Sequence, residues 1–529
     1  MSVAREAAQP VGDGFAPYVW AVAPSEVAAR HGIRPETVLK FDQNTPPSPG
    51  VPQVPLAESM AQLHEYPEGT YRELREAAAA YTGLSTENVV VGAGADDLIL
   101  LLAQTFLGPG RRAAVEPPTY ALYRIATTLH GGEVVAGGET ADVHWICNPN
   151  NPTGAWVEPA GIVALARDNP SAIVAVDEAY VEYGAETCAP WVDELPNLVV
   201  LRTLSKAFGL ASLRVGYALA HPDTAALLTE RRAPAPISGP AAAIGAAALR
   251  SPRLGDVETT VAERERLRAA LVEAGYDCAP TATNFLFVRT EEPLAERLEA
   301  QGIVVRRFQE GIRVTVRRPS ENDVLLHALG VAVSGDVRGR EATIVRTTTE
   351  TAVRLTLALD GTGRTRVETG IGFLDHLLTL MAFHAGFDLE LAAGGDLDVD
   401  DHHTVEDVHA VLGAGLAEAL GSRDGVARYG SAIVPMDEAR GTAAVDLVRR
   451  PHAEMALAFG GERVGSLAVS LLQHALERLA IEAQCTVHVE AAGADDHHIA
   501  EAAYKALGQA FRQAVARGAP GVRSTKGAA

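Results

Sequence analysis

One short pattern occurs twice in the last third of the chain: "DDHHTVED" at 400–407 returns as "DDHHIAEA" at 495–502. Each copy has two adjacent histidines and then a glutamate. In both copies a helix carrying a further histidine and a strand come before the pattern, and an amphipathic helix follows it. The repeated order predicts that 343–529 is a duplicated α/β domain of two pseudo-repeats, each with strands and two helices.

The spacing of these histidines predicts two metal centres. On a helix, the glutamate lies four residues after the first histidine and three after the second, so all three side chains can approach one face. Adjacent residues point about 100° apart around a helix, so two consecutive histidines do not easily bind one ion. We therefore expect each pair to be divided between two ions, with three histidines and one glutamate per ion. The ligands of both ions together are then His376, His402, His403, Glu406, His474, His497, His498 and Glu501.

A shell of imidazoles and carboxylates with open positions suits an octahedral ion such as Mn, Fe, Co or Ni better than a closed zinc site. Open positions allow a substrate to bind and Lewis-acid chemistry to follow. A solvated surface explains one such pattern equally well, but not two copies with matching upstream histidines. His384, His409 and His488 lack this support, and we expect them to be structural or surface residues.

The motifs "FLDH", "GDLDVDDHHTVED", "PMDEA", "HHIAEAAYKA" and "STKG" are similar to those of imidazoleglycerol-phosphate dehydratases of histidine biosynthesis. The resemblance implies two manganese ions held by the eight ligands, and a large symmetric oligomer with sites between subunits. It implies that Glu350 acts near the reacting carbons. The chain departs from the family with "VDLVRRP" and "YKA", yet keeps the arginine and the lysine. The implied substrate-binding residues are Arg428, Arg450, Lys505, Ser524 and Lys526.

Between about 85 and 220, short apolar runs alternate with helical patterns. Such continuous apolar strands predict a mostly parallel sheet covered by helices on both faces. From about 240 to 332, a charged helix and short strands, with the N-terminal segment, predict a smaller α+β domain. The sequence thus predicts one module over 1–334, with its large domain at about 45–235, and a polar linker at 335–342.

Lys206 directly follows an apolar strand in "NLVVLRTLSKAFGLASLRVGY". A lysine beside hydroxyls and a second cation is what the attachment of pyridoxal phosphate requires. Asp177 ends another apolar strand, at the edge where open α/β sheets bind ligands, and an aspartate there keeps a pyridine nitrogen protonated. A helix that begins near Ala95 offers a phosphate site. The further candidates around the cofactor are Asp96, Tyr120, Asn151, Tyr180, Thr203, Ser205 and Arg214.

Residues 15–332 resemble fold-type I aminotransferases, and specifically the histidinol-phosphate aminotransferase family. The resemblance implies that these residues bind pyridoxal phosphate, with Lys206 as the catalytic lysine. Tyr66 is implied to reach the cofactor phosphate of a partner subunit in a dimer. The entry segment "FDQNTPPSP" departs from the family pattern, although its asparagine remains. The implied substrate-binding residues are Tyr18, Asn44, Arg306 and Arg313.

Together the two resemblances predict a bifunctional enzyme of histidine biosynthesis. Dehydration of imidazole glycerol phosphate yields imidazole-acetol phosphate, a ketone that accepts the amino group of glutamate to become histidinol phosphate. Three alternatives stay open. The first module could be an aromatic aminotransferase or a related decarboxylase, the second could serve only assembly and metal binding, or the whole chain could be non-enzymatic.

The net charge of −22 makes nucleic acid a poor partner, because like charges repel. Four cysteines without paired spacing indicate reduced thiols. The first residues have no apolar signal-peptide core, and no apolar run is long enough to span a bilayer. We therefore expect a cytoplasmic protein with small phosphorylated imidazoles, glutamate and 2-oxoglutarate as its ligands.

Overall fold

The computed structural model describes residues 11, 14–47, 63–252, 254–331, 340–465 and 467–517. Most of the predicted linker, and the predicted site residues Ser524 and Lys526, lie outside these ranges. The helices within them are α1 Pro24–His31, α2 Arg72–Thr82, α3 Gly94–Phe106, α4 Leu122–Leu129, α5 Pro159–Asp168, α6 Pro222–Arg231, α7 Gly239–Arg250, α8 Gly255–Glu273, α9 Leu294–Glu299, α10 Pro319–Ala328, α11 Gly372–Ala385, α12 His402–Leu420, α13 Val469–Glu482 and α14 Asp496–Ala514.

The strands divide at the predicted linker. Before it lie β1 Leu39–Lys40, β2 Val89–Gly92, β3 Arg112–Val115, β4 Glu133–Val135, β5 Val143–Cys147, β6 Ile173–Asp177, β7 Leu198–Thr203, β8 Gly216–Ala220, β9 Asp277–Cys278, β10 Phe285–Arg289, β11 Ile303–Val304, β12 Arg306–Phe308 and β13 Gly311–Thr315. After it lie β14 Glu341–Thr347, β15 Thr351–Ala358, β16 Thr365–Glu368, β17 Asp388–Gly395, β18 Tyr429–Met436, β19 Ala439–Asp446, β20 His452–Leu457, β21 Arg463–Val464, β22 Leu467–Ala468 and β23 Thr486–Ala492.

The chain divides into two compact units, each made of several segments of the sequence. The first unit contains the described parts of Met1–Ala21, Lys40–Leu298 and Val304–Arg318. The second contains the described parts of Val22–Leu39, Glu299–Ile303 and Pro319–Ala529. Helix α10, which precedes the linker, contacts β14 within the second unit, where the Ser320 and Thr343 hydroxyls lie 2.8 Å apart.

The first unit is organised around a seven-stranded sheet with the order β2-β8-β7-β6-β5-β3-β4. Strands β4, β3, β5, β6 and β7 run parallel, and β8 runs antiparallel to both of its neighbours. The predicted mostly parallel sheet is therefore confirmed. The sequence analysis did not predict β4, which has three residues, or β8, whose apolar run follows directly on a candidate site residue.

A second sheet in the first unit has the order β12-β13-β10-β9 and is antiparallel throughout. Its register places Arg306 opposite Arg313. This pairing brings two of the predicted substrate-binding residues onto neighbouring strands.

The second unit contains two four-stranded sheets of the same design. The first has the order β14-β15-β17-β16 and the other β18-β19-β23-β20. In each, two antiparallel pairs are followed by one parallel pair. Each half also places one helix before its third sheet position and one after it. The strand order therefore agrees with the predicted duplication.

The helices of the two halves pack in crossed pairs. Helix α11 of the first half contacts α14 of the second, and α12 of the first contacts α13 of the second. A glycine stands at each contact, eleven residues after the first histidine of each pair: Gly413 and Gly508. A Cβ atom at Gly413 would lie 2.5 Å from the Leu479 carbonyl, and one at Gly508 would clash with the Met381 carbonyl. The two glycines thus set how closely the helices approach.

None of the helices in the described part of the chain has both the length and the apolar character that crossing a membrane requires.

We predict that Gly413→Val destabilises the second unit. The added side chain would meet backbone atoms of α13, which cannot yield without separating the helices. Overpacking of this kind costs about 1–3 kcal/mol. Differential scanning calorimetry should show a melting transition lowered by several degrees. Gly372→Ala serves as the control, because a Cβ there meets nothing within 4 Å; equal melting temperatures for the two variants would contradict the packing role.

Candidate active sites in the two units

Lys206 and Asp177 lie at the same edge of the seven-stranded sheet, because β6 and β7 are parallel neighbours. Asp177 is the last residue of β6 and is buried, and burial raises the pKa of its carboxyl group to about 6. Lys206 lies three residues beyond β7. Removal from water, followed by the nearby Arg313 guanidinium, lowers the pKa of its amine to about 8. The edge thus holds an amine and a carboxyl group that both titrate close to neutral pH.

Tyr123 orients the Asp177 carboxylate, and the sequence analysis missed it. Its hydroxyl donates to Asp177 Oδ2 at 2.8 Å, and its ring stacks on Trp145 at a centroid distance of 5.4 Å. The other oxygen, Oδ1, accepts from the Ala179 amide at 3.1 Å. Tyr123 follows the predicted Tyr120 by three residues, so its closeness in sequence to a candidate residue was the available signal. These contacts leave the carboxylate with one fixed orientation.

The predicted phosphate-binding residues lie together beside the start of α3. Arg214, in the left-handed conformation at φ 52°, donates to Ser205 Oγ at 3.3 Å and to Asp96 Oδ2 at 3.1 Å. The Thr203 hydroxyl donates to Ser205 Oγ at 2.9 Å. Ala95 is buried in the first turn of α3, whose free amide groups favour anions. A guanidinium, hydroxyls and a helix N-terminus therefore converge.

A second group of predicted residues surrounds Tyr180, whose ring centroid lies 5.6 Å from the Lys206 amine. The Asn44 side chain donates to the Tyr180 hydroxyl at 3.0 Å. Arg313 is buried, donates to Asn151 Oδ1 and also donates to a backbone carbonyl of the entry segment at 2.8 Å. The structure thus brings the predicted substrate arginine and the cofactor residues of "NPNNPTG" into contact.

The other predicted residues of this site are more exposed. The Tyr18 ring lies 6.4 Å from the Tyr120 ring, and the Tyr120 hydroxyl donates to Asp96 at 3.1 Å. Arg306 donates to the Val19 carbonyl at 2.7 Å. Tyr66 is 92% exposed in the single chain, which is the environment expected of a residue that acts on another subunit.

This arrangement fits pyridoxal phosphate. The group needs an amine to hold it, a carboxylate beside its ring nitrogen and donors for its phosphate. Lys206 supplies the amine and Asp177 the buried carboxylate, while Ser205 and Arg214 supply donors beside α3. The lowered pKa of the Lys206 amine suits attachment, since only the neutral amine is nucleophilic.

The second unit holds two groups of possible metal ligands, and each combines both halves of the duplication. In the first, His376 joins His497 and Glu501; in the second, His474 joins His402 and Glu406. All ligand atoms of a group lie within 4.8 Å of one another. The crossed helix pairs α11–α14 and α12–α13 bring them together. Two imidazoles and a carboxylate per group fit a transition-metal ion with open positions.

The third histidine predicted for each ion lies apart from these groups. His403 Nδ1 is 3.1 Å from Asp396 Oδ2, and His498 Nδ1 is 2.9 Å from Glu438 Oε2. These hydrogen bonds raise the pKa of both imidazoles. A carboxylate on Nδ1 fixes the tautomer that leaves Nε2 available to a metal. The sequence analysis assigned no role to Asp396 or Glu438, although both lie in quoted motifs.

Each glutamate of the metal groups has a cation beside it. Burial acts against ionisation of Glu501, but hydrogen bonds from Lys505 and His376 lower its pKa to about 2. The Lys505 amine lies 2.6 Å from Glu501 Oε2, so this predicted substrate residue contacts a predicted ligand. Arg478 Nε lies 3.3 Å from Glu406 Oε1, a contact that the sequence analysis did not foresee. The Glu501 carboxylate therefore stays anionic.

The remaining predicted residues occupy separate places. Glu350 Oε2 lies 3.7 Å from His403 Nε2, on the side opposite Asp396. Arg428 forms a two-point ion pair with Asp446 at 2.7 and 3.0 Å. Arg450 is exposed. His409 is buried and bonded to the Tyr504 hydroxyl at 2.9 Å, in keeping with the structural role expected of it.

We predict that Asp396→Asn lowers the affinity of one metal centre by about 10–100-fold, since it removes the carboxylate that orients His403. Isothermal titration calorimetry of metal-stripped protein with Mn²⁺ measures the affinity directly. Asp398→Asn is the control, because that aspartate is exposed and close in sequence. Unchanged binding in the Asp396 variant would show that His403 is not a ligand.

We predict that pyridoxal phosphate attaches faster as the pH rises through about 8. Below the lowered pKa the Lys206 amine is protonated and unreactive, and above it the neutral form prevails. Stopped-flow absorbance after mixing cofactor-free protein with pyridoxal phosphate gives the rate at each pH. A rate that keeps rising to pH 10 would indicate an ordinary lysine.

Two family models match different parts of the chain. A family model described as imidazoleglycerol-phosphate dehydratase matches residues 369–511. The chain is 49% identical over 193 residues to imidazoleglycerol-phosphate dehydratase of Granulibacter bethesdensis, a match that covers 98% of that protein and 36% of this chain. It is 47% identical over 191 residues to the Geobacillus kaustophilus enzyme of the same name, again covering 98% of that protein and 36% of this chain.

A second family model, described as aminotransferase class I and II, matches residues 36–329. Histidinol-phosphate aminotransferase from Sinorhizobium meliloti, solved in complex with pyridoxal-5'-phosphate, is 25% identical with a TM-score of 0.54, covering 60% of this chain and 96% of that one. An aspartate aminotransferase from Thermotoga maritima, at 20% identity, a TM-score of 0.51 and coverage of 58% and 93%, shows the same fold. The chain is therefore a two-module enzyme that belongs both to the class I and II aminotransferases and to the imidazoleglycerol-phosphate dehydratases.

Proposed function

We propose that the chain catalyses two consecutive steps of histidine biosynthesis. The second module removes water from imidazole glycerol phosphate, and the first transfers the amino group of glutamate to the resulting imidazole-acetol phosphate. The observation that carries this proposal is that one chain contains both sites. The ketone made by a dehydratase of this family is the amino acceptor of a histidinol-phosphate aminotransferase, so the fusion itself favours this substrate.

The dehydration is difficult because the proton that leaves is not acidic. Metal ions, when bound, would draw electrons from the imidazole ring of the substrate. The residues that would hold them are the two groups built on Glu501 and Glu406. Glu350 is the base that we propose for the proton, since its carboxylate lies 3.7 Å from His403 Nε2 and is half exposed. Manganese is the ion that the family resemblance favours.

The transamination depends on two groups of the first module. Pyridoxal phosphate, when bound, supplies an electron-withdrawing ring. Asp177, held by Tyr123, would keep the ring nitrogen protonated, because an anion at the end of a buried strand favours a positive charge beside it. Lys206 has an amine pKa of about 8, so it can accept and return a proton near neutral pH. Arg313 and Arg306, which lie opposite each other on neighbouring strands, would bind an anionic substrate.

We further propose that several copies of the chain assemble to complete the metal centres. Each group within one chain has two histidines and one glutamate, while His403 and His498 are oriented elsewhere by carboxylates. Their Nε2 atoms would then serve the groups of other subunits. The exposed Tyr66 would act in the same way in the aminotransferase dimer.

We predict that Lys206→Ala abolishes transamination and leaves dehydration intact, whereas His474→Ala does the reverse. The two sites are built from different residues, so each loss should be confined to its own module. Separate assays of both reactions on each variant, with Mn²⁺ and pyridoxal phosphate supplied, measure this. Loss of both activities in either single variant would show that the sites are not independent.

The choice of amino donor in the reverse direction decides the substrate class. Histidinol phosphate should exceed phenylalanine in kcat/KM by several orders of magnitude, because phenylalanine lacks the phosphate group that the site would be built to bind. A preference for phenylalanine would assign the first module to the aromatic aminotransferases. Absence of dehydration in an intact metal-loaded oligomer would leave the second module as an assembly device.

A further inference from the structure

The segment Val22–Leu39 precedes the aminotransferase sheet in sequence, yet belongs to the same compact unit as the dehydratase sheets. It consists of α1 and one turn of 3-10 helix, Pro35–Thr37. Thr37 and Val38 are buried, at 8% and 3% exposure, so the end of the segment is packed inside the unit. The 3-10 turn contacts β14, β15 and β17.

Arg34, just before this turn, makes the main polar contact. Its Nη1 donates to the Gly394 carbonyl at 2.6 Å, and its Nη2 donates to the Glu350 carbonyl at 2.8 Å. A planar guanidinium can hold two acceptors in one fixed geometry, which a lysine cannot do. Arg34 therefore ties together two points of the dehydratase backbone.

The two carbonyl groups that Arg34 binds lie close to residues that contact the His403 imidazole. Glu350 belongs to the tight turn between β14 and β15, which is closed by a 2.8 Å hydrogen bond from the Thr348 amide to the Thr351 carbonyl. Gly394 lies near the end of β17, two residues before Asp396. The Glu350 and Asp396 carboxylates lie on the two sides of His403, at 3.7 Å from Nε2 and 3.1 Å from Nδ1. Arg34 thus holds the backbone that carries both carboxylates.

Arg34 lies outside the part of the chain that matches the dehydratases. The 193-residue match to a curated dehydratase cannot include both Arg34 and the ligand Glu501, which are 467 positions apart. The two hydrogen bonds from Arg34, called the Arg34 clamp below, are therefore a property of the fused chain.

We propose that Arg34 is a positioning residue for the dehydratase reaction. By fixing the Glu350 turn against the end of β17, it sets the distance between the base and the His403 imidazole. The inference rests on the dehydratase function proposed above. A shift of about 1 Å in a catalytic group can cost about a hundredfold in rate, so even a modest release of this turn should be visible in kcat.

The test compares Arg34→Ala and Arg34→Lys with the control Arg30→Ala in the full-length, metal-loaded chain. Arg30 lies on α1, four residues before Arg34, and pairs with Glu299 at 2.7 Å. We expect Arg34→Ala to lower kcat of dehydration about tenfold or more with KM nearly unchanged, because the base is displaced and not the substrate site. Arg34→Lys should recover part of the loss. Arg30→Ala and the transamination rates should not change.

Amide hydrogen exchange gives a readout that does not depend on activity. The peptide covering 346–352 should exchange faster in Arg34→Ala than in the wild type or in Arg30→Ala. Equal exchange, or a parallel loss of dehydration and transamination, would overturn the proposal. If the wild type shows no dehydration, the proposed function fails whatever the role of Arg34. Faster exchange in Arg34→Ala would then still support the Arg34 clamp, and equal exchange would refute it.

Discussion

Two adjacent side chains on a helix point about 100° apart, and the architecture of the second unit follows from that angle. At the start of α12 and of α14, only the first histidine of each pair joins a metal group, and the second turns to a carboxylate. Each group takes its remaining histidine from the opposite half. A single half could therefore hold neither group.

The crossed helix pairs make this possible. Gly413 and Gly508 allow α12 to approach α13 and α14 to approach α11 so closely that imidazoles from different halves share one carboxylate. In the first unit, a parallel sheet brings the candidate site residues together. The carboxyl ends of β6 and β7 place Asp177 and Lys206 side by side, and burial brings both groups toward neutral pKa values.

Much of this could be predicted because it is local or repeated. The apolar strands from β2 to β7, other than β4, stand out in the sequence, and the two histidine patterns identify their own ligands by spacing. Contacts between distant residues could not be predicted in this way. Tyr123 reaches Asp177, Arg478 reaches Glu406, and Arg34 reaches Glu350 across some 300 residues, and no local pattern records such pairs. The expectation of three histidines per ion also exceeds what one chain brings together, and in the proposed assembly other copies would supply the third.

The proposed function depends on electron withdrawal by groups that the polypeptide itself does not supply. Its most direct measurement is the cofactor content of full-length protein produced with vitamin B6 and manganese available, by metal analysis and absorbance on one preparation. We expect two transition-metal ions and one pyridoxal phosphate per chain. A colourless, metal-free protein that is nonetheless folded would contradict the proposed function of both modules.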